Sequence, residues 1–171
     1  MIVRDATETD LPGILEIYND AVLTTTSIWN GTPVDLENRR AWLTERQAAG
    51  FPVLVAVEDG AVLAYATFGP FRPHEGYRHT AENSIYVHRD AQGRGIGRTI
   101  MHPLIERARQ AGMHVLIGAV EADNTASLRL HAGLGFIEGG RLFQVGTKFG
   151  RWLDLVFVQL RLDDGPPRAG G

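Results

Sequence analysis

The run Gln92-Gly93-Arg94-Gly95-Ile96-Gly97-Arg98 combines residue types suited to binding an anion. Glycines accept positive φ and let the backbone approach a ligand, so that several N–H groups can converge on one phosphate. Arg94 and Arg98 add full charges. The run follows an apolar segment, Ser84-Ile85-Tyr86-Val87, and precedes one with helical periodicity. A strand, a tight turn and a helix start are therefore expected here. The unpaired donors and positive dipole end of that helix reinforce the anion site.

The elements that position this turn can be read in order. Ile2-Val3-Arg4 reads as a short first strand. A helix capped by Thr9 follows, with Pro12 in its first turn and Leu11, Ile14, Leu15, Tyr18 and Val22 on one face. A polar run from Thr24 to Pro33 carries Trp29, and Asp35 caps a second helix that stops near Gly50. Phe51 to Val57 and Ala61 to Phe68 read as a hairpin turned at Asp59-Gly60. A loop from Gly69 to Arg78 leads to a strand from Thr80 to Val87 and so to the glycine turn. The helix after the turn has Ile96, Ile100, Leu104, Ile105 and Ala108 on one face, with a kink expected at Pro103. Val115 to Val120 reads as a buried strand, Asp123 or Asn124 caps a short helix closed by Gly135, and strands follow at Arg141 to Thr147 and Trp152 to Leu162. One domain over 1–162 and a disordered tail over 163–171, with Pro166-Pro167 and Gly170-Gly171, are expected.

Composition narrows the classes. The chain has 171 residues, 44% hydrophobic and 22% charged, which suits one globular domain. A net charge of −3 argues against general affinity for nucleic acid or anionic membranes. Cysteine is absent, so there is no disulfide, thiolate metal site or Cys nucleophile. The six histidines lack ligand spacing, and no metal is expected. No apolar stretch approaches a membrane span and the N-terminus is no signal peptide, so a cytoplasmic location is expected.

The anion can be narrowed by elimination. A P-loop needs Gly-Lys-Ser/Thr, which does not occur here. A dinucleotide fingerprint needs a third Gly or Ala where Arg98 stands, and it opens a chain rather than following a hairpin. The pattern Gln/Arg-x-x-Gly-x-Gly/Ala is met by Gln92 to Gly97, and a second pattern follows at Asn124-x-x-Ser127-x-x-Leu130-His131 with Gly135-Phe136. Together with the element order, these resemble the GNAT acyl-CoA-dependent N-acetyltransferases over nearly the whole chain. Phe71-Arg72, Tyr77-Arg78-His79-Thr80, Glu82-Asn83-Ser84, the run Val145 to Leu155, and Ser27-Ile28-Trp29-Asn30 with Val34-Asp35 are similar to the phosphinothricin acetyltransferase group. Within that group the resemblance is greatest to the methionine sulfoximine and methionine sulfone acetyltransferases.

The resemblance implies a fold, a reaction and a site. The fold is α/β (α+β), the GNAT fold: a mixed, mostly antiparallel central sheet splayed between its fourth and fifth strands, with helices on both faces. The reaction is acetyl transfer from acetyl-CoA to the α-amine of a small amino-acid analogue. The absence of Cys favours direct attack in a ternary complex. Ile85, Tyr86 and Val87 would meet the pantetheine arm, Val87 N–H being a candidate oxyanion donor. Gln92, Gly93, Arg94, Gly95, Ile96, Gly97 and Arg98 would cradle the pyrophosphate, with Asn124 and Ser127 beside the cofactor. Asn124 could instead simply cap its helix.

Direct attack needs a neutral amine, which a carboxylate can supply by taking the proton. Glu82 stands at the family's position for this base, and Glu75 is a weaker candidate that could hold the amine or face water. His131 stands where most relatives carry a Tyr that protonates the leaving thiolate; it either serves that role or packs and hydrogen-bonds beside the cofactor. For the substrate carboxylate Arg72 is preferred, with Arg78 as competitor. Thr80, Asn83 and Ser84 would meet the sulfone or sulfoximine oxygens, and Trp29, Phe71 and Tyr77 would wall the aliphatic part. The last strand is apolar on both alternations apart from Asp154, Gln159 and Arg161, and with the family's habit this predicts a homodimer. Another amine acceptor, such as a polyamine or a protein N-terminus, and a non-catalytic acyl-CoA sensor are the alternatives.

Overall fold

The protein is described by a computed structural model covering residues 1–167. In chain order it comprises β1 (Ile2–Asp5), α1 (Leu11–Thr24), α2 (Leu36–Ala48), β2 (Val53–Glu58), β3 (Ala61–Pro70), β4 (Thr80–Val87), α3 (Ile96–Gln110), β5 (Val115–Glu121), α4 (Thr125–Gly133), β6 (Ile137–Lys148) and β7 (Arg151–Arg161). The strands form one sheet in the order β1-β2-β3-β4-β5-β7-β6. The β4–β5 pair is parallel and the others are antiparallel. The mixed, mostly antiparallel sheet anticipated from sequence is thus observed.

Helices cover both faces because the strands are apolar on both. Leu54, Ala56, Ala66 and Phe68 share a core with Ile96, Ile100, Met101 and Leu104 of α3. Val53, Val55 and Tyr65 share another with Leu11, Ile14 and Ile17 of α1 and Leu43 of α2. Glycine turns set the corners: Asp59 and Gly60 take φ of 50° and 81°, the paired positive values of a tight hairpin.

Several local expectations change. Thr9 does not cap α1; Thr7 and Asp10 form a capping box around a 3₁₀ turn, and α1 begins at Leu11. Arg4 holds Asp10 through two bonds of 2.7 and 2.8 Å, which selects this entry over a simple Thr9 cap. Asp35 does cap α2, accepting from Asn38 N–H at 2.9 Å. Pro103 lies inside α3, where the sequence placed it. The apolar surplus of β7 has an internal explanation: β7 lies between β5 and β6, burying Leu153, Val156 and Val158. The exposed apolar side chains lie mainly on β6, the turn after it and the first residues of β7, with Phe143 and Trp152 70% and 68% exposed. Residues 163–167 carry no helix or strand, and the remainder of the expected disordered tail lies outside the described residues.

Candidate active site

β4 and β5 pair only from Thr80↔Val115 to Asn83↔Gly118. Beyond Asn83 the strands part, while β4 stays paired with β3 as far as Ala64↔Val87. The antiparallel ladder fixes what faces the gap. His88 N–H donates to Leu63 O at 2.8 Å, so even-numbered residues of β4 bond β3 and odd-numbered ones turn the other way. The backbone groups of Ile85 and Val87 therefore point into the opening without a strand partner. A sheet gap with free backbone donors and acceptors accepts an extended, amide-bearing chain as an added strand.

This gap opens into a cleft of about 880 Å³. Its far end is the glycine turn. Gly95 is the N-cap of α3 with φ of 78°, and no side chain bonds the first-turn N–H groups. A side chain at Gly95 would be strained in this left-handed conformation. An uncapped helix start beside Gly93, Gly97 and Arg98 suits a phosphate group. Arg94 turns away and pairs with Glu58 at 2.6 Å.

The two faces of β4 carry different side chains. On the α3–α4 side, Asn83 and His131 are buried, at 5% and 2% exposure. His131 Nδ1 lies 2.9 Å from Ser127 O, which can only accept, so Nδ1 carries the proton. Nε2 then accepts from Asn83 Nδ2 at 3.0 Å. Burial lowers the His131 pKa, outweighing its bond to the Ser127 carbonyl. The ring is neutral at neutral pH, and its remaining nitrogen is an acceptor. Of the two roles left open for His131, this arrangement fits the packing and hydrogen-bonding one, because no proton faces the cleft.

On the other face stand Glu82, Ser84 and Tyr86. Burial raises the Glu82 carboxyl above the usual range, with Arg72 and then Arg46 pulling it back. Burial also pushes the Tyr86 hydroxyl up to about 12, so it stays protonated.

Asn124 is the N-cap of α4, accepting from Ser127 N–H at 3.1 Å. Its Nδ2 reaches Ser27 Oγ at 3.3 Å. The cleft thus collects Glu82, Asn83, Ser84, Ile85, Tyr86, Val87, Gln92, Gly93, Gly95, Ile96, Gly97, Arg98, Asn124, Ser127 and His131. Trp29, Phe71, Arg72, Glu75, Tyr77, Thr80 and Arg94 do not line it. Phe71 packs edge-on with Tyr77 and Phe157, and the Arg72 guanidinium lies over Phe71, 5.0 Å from its centre.

Two groups of residues escaped the sequence reading. One is the end of α1 at Thr24 with the following Thr25 to Ser27, which forms a cleft wall. Lys148, almost buried, fastens that segment by donating to Thr25 O (2.6 Å) and Ile28 O (2.5 Å). Glu121 accepts from Thr26 Oγ1 at 2.9 Å. The polar run was visible in the sequence, but its anchors lie about a hundred residues away. The other is Arg46, whose helical position gave no signal. No group of three His, Asp or Glu suited to a metal ion occurs among the described residues. No described helix is long and apolar enough to cross a membrane.

A split parallel pair, a strand-like gap and an uncapped helix start define the class of enzymes that draw on an acyl-CoA thioester. The profile of the Acetyltransferase (GNAT) family matches residues 14–136, and the chain belongs to that family of acyl-CoA-dependent N-acetyltransferases. It is 56% identical over 162 residues to the L-methionine sulfoximine/L-methionine sulfone acetyltransferase of Pseudomonas aeruginosa, covering 94% of each chain. It is also similar to the solved ribosomal-protein-alanine N-acetyltransferase of Brucella melitensis, at 58% identity and TM-score 0.93, covering 94% of this chain and 99% of that one. The Sinorhizobium meliloti phosphinothricin acetyltransferase, solved in complex with acetyl-CoA, has 34% identity and TM-score 0.92, with 96% and 89% covered.

Proposed function

We propose that the protein transfers acetyl from acetyl-CoA to the α-amine of a small amino-acid analogue, such as L-methionine sulfoximine, L-methionine sulfone or phosphinothricin. The observation that carries this reading is the raised carboxyl of Glu82 at the point where β4 and β5 part. A carboxylate shifted toward neutral pH suits a base that must deprotonate an ammonium group. Glu82 takes the proton, the amine nitrogen attacks the thioester carbonyl carbon, the C–S bond breaks and the CoA thiolate leaves. The free N–H of Val87 suits the developing oxyanion. Because His131 offers no proton toward the cleft, the thiolate is protonated by solvent.

Arg72, acting on Glu82 electrostatically while lying over Phe71, is the preferred partner of the substrate carboxylate. Phe71 and Tyr77 are the preferred aliphatic wall. The exposed Ile137, Leu142, Phe143, Val145, Phe149 and Trp152 support a homodimer through the β6–β7 side; sedimentation of a micromolar monomer would count against it. The likeness to the Brucella protein keeps a protein N-terminus as a second reading. A thiol-release assay with acetyl-CoA tests both. Turnover of the sulfone, sulfoximine or phosphinothricin but not of an N-terminal alanyl peptide is expected; the reverse preference would replace the first reading by the second.

A further inference from the structure

Gly69 stands in β3, where a glycine weakens a strand and needs a reason. It does not take a left-handed φ, so its backbone does not require it. The reason is steric. A Cβ at this position would overlap Arg46 Nη1 and lie 2.8 Å from Arg46 Cζ. The guanidinium of Arg46, reaching over from α2, occupies the space that a side chain at residue 69 would fill.

That space adjoins the proposed base. Gly69 is the ladder partner of Glu82. Directly opposed residues of an antiparallel pair project to the same face with Cβ atoms about 5 Å apart. Arg46 and Glu82 form no ion pair within 4 Å, and Arg46 Nη1 is buried without a hydrogen-bond acceptor. Nη1 is also shut away from the cleft, so a substrate group does not reach it in this arrangement. A half-buried cation with an unspent donor acts on its neighbourhood through its field, and the carboxylates it meets are Glu45 beside it on α2 and then Glu82.

We propose that Arg46, seated in the vacancy at Gly69, is a positioning residue that keeps the Glu82 carboxylate charged in the free enzyme and so ready to take the substrate's proton. This rests on the reading of Glu82 as the base. The charged and titratable groups around Glu82 are Arg46 from α2, with Glu45 beside it, Arg72 from the β3–β4 loop, and Tyr86 on β4 itself. Burial raises Glu82 while Arg72 and Arg46 oppose the rise, and Glu82 in turn favours the charged form of Arg46. Arg72 is exposed and loop-borne, whereas Arg46 is fixed by its seat.

The test is the pH profile of kcat/KM for acetyl transfer to the best acceptor. Its acid limb reports the free enzyme's base. Arg46→Met should move that limb upward on the order of half to one pH unit, making the variant roughly three- to tenfold slower below the limb and equal to wild type above it. Arg46→Lys should leave the limb near its original place. Gly69→Ala, which keeps the arginine but displaces it, should shift the limb in the same direction as Arg46→Met. Glu82→Gln separates the two ideas. If it abolishes the limb while Arg46→Met and Gly69→Ala leave it unmoved, the inference about Arg46 is overturned and the base stands. If Glu82→Gln retains the limb, the base reading falls and this inference with it. A Lys variant shifted as far as the Met variant would assign the effect to packing and overturn the role of charge. Should Arg46→Met fail to fold, Gly69→Ala decides alone.

Discussion

The two sides of β4 are built differently. Toward the glycine turn, the groups available to a ligand are backbone: the free N–H groups at Ile85 and Val87 and the uncapped start of α3. Toward Glu82 they are side chains of β4, in a field set by Arg72 from the β3–β4 loop and Arg46 from α2. A backbone site is specified by a short contiguous pattern, because glycine conformation and strand pairing are local. A side-chain site is specified by tertiary packing. The first side should therefore resist most side-chain changes yet suffer from an added Cβ, and the second should respond to single side chains.

The largest test of this contrast is Glu82→Gln. Loss of a general base should lower kcat by about 10²–10⁴-fold near neutral pH, with acetyl-CoA binding nearly unchanged. Turnover within a few-fold of wild type would remove Glu82 from that role. Lys148→Met comes next, because it leaves the carbonyls of Thr25 and Ile28 without their charged donor. It should cost about 2–4 kcal/mol in denaturant unfolding and raise KM through the released wall. An unchanged midpoint and KM would show that the wall holds itself.

Gly95→Ala probes the backbone side. Forcing an alanine into the left-handed N-cap costs about 1–2 kcal/mol. Expressed in binding, that is roughly a 5- to 30-fold weaker hold on acetyl-CoA by titration, with the pH limb unmoved. A limb shift would mean the two sides are coupled. The smallest effect is a control remote from both. Asp10 is held below the usual carboxylate range chiefly by its bond to Arg4, and also by Thr7 N–H, against burial. Asp10→Asn should cost about 1 kcal/mol, discounted because Arg4 is partly exposed. Since the folded pKa is depressed, this contribution is complete above the unfolded value near 3.9 and is lost as pH falls through the folded one. Wild type and variant should therefore converge in strongly acidic unfolding experiments while activity stays equal at neutral pH.

Much of the frame was legible beforehand, for identifiable reasons. The hairpin at Asp59-Gly60, the Asp35 cap and the whole of β4 are set by residues within a few positions of one another. The entry to α1 was misread because Arg4 reaches Asp10 across the 3₁₀ turn. The apolar character of β7 is accounted for within the chain, because β6 lies beyond it, and alternation alone does not reveal that neighbour. Asp123 and Asn124 were equally placed to cap α4, and the bond from Ser127 N–H to the Asn124 side chain identifies the cap.

By itself, then, the sequence determined the kind of donor site, since a strand, a glycine turn and a helix start within one short stretch leave the backbone little choice. Only the tertiary structure decided the surroundings of Glu82. The empty position at Gly69 and the arginine that fills it are 23 residues apart in chain number, on different elements, and neither announces the other. Their meeting depends on how α2 packs across β3, and packing is a property of the assembled core.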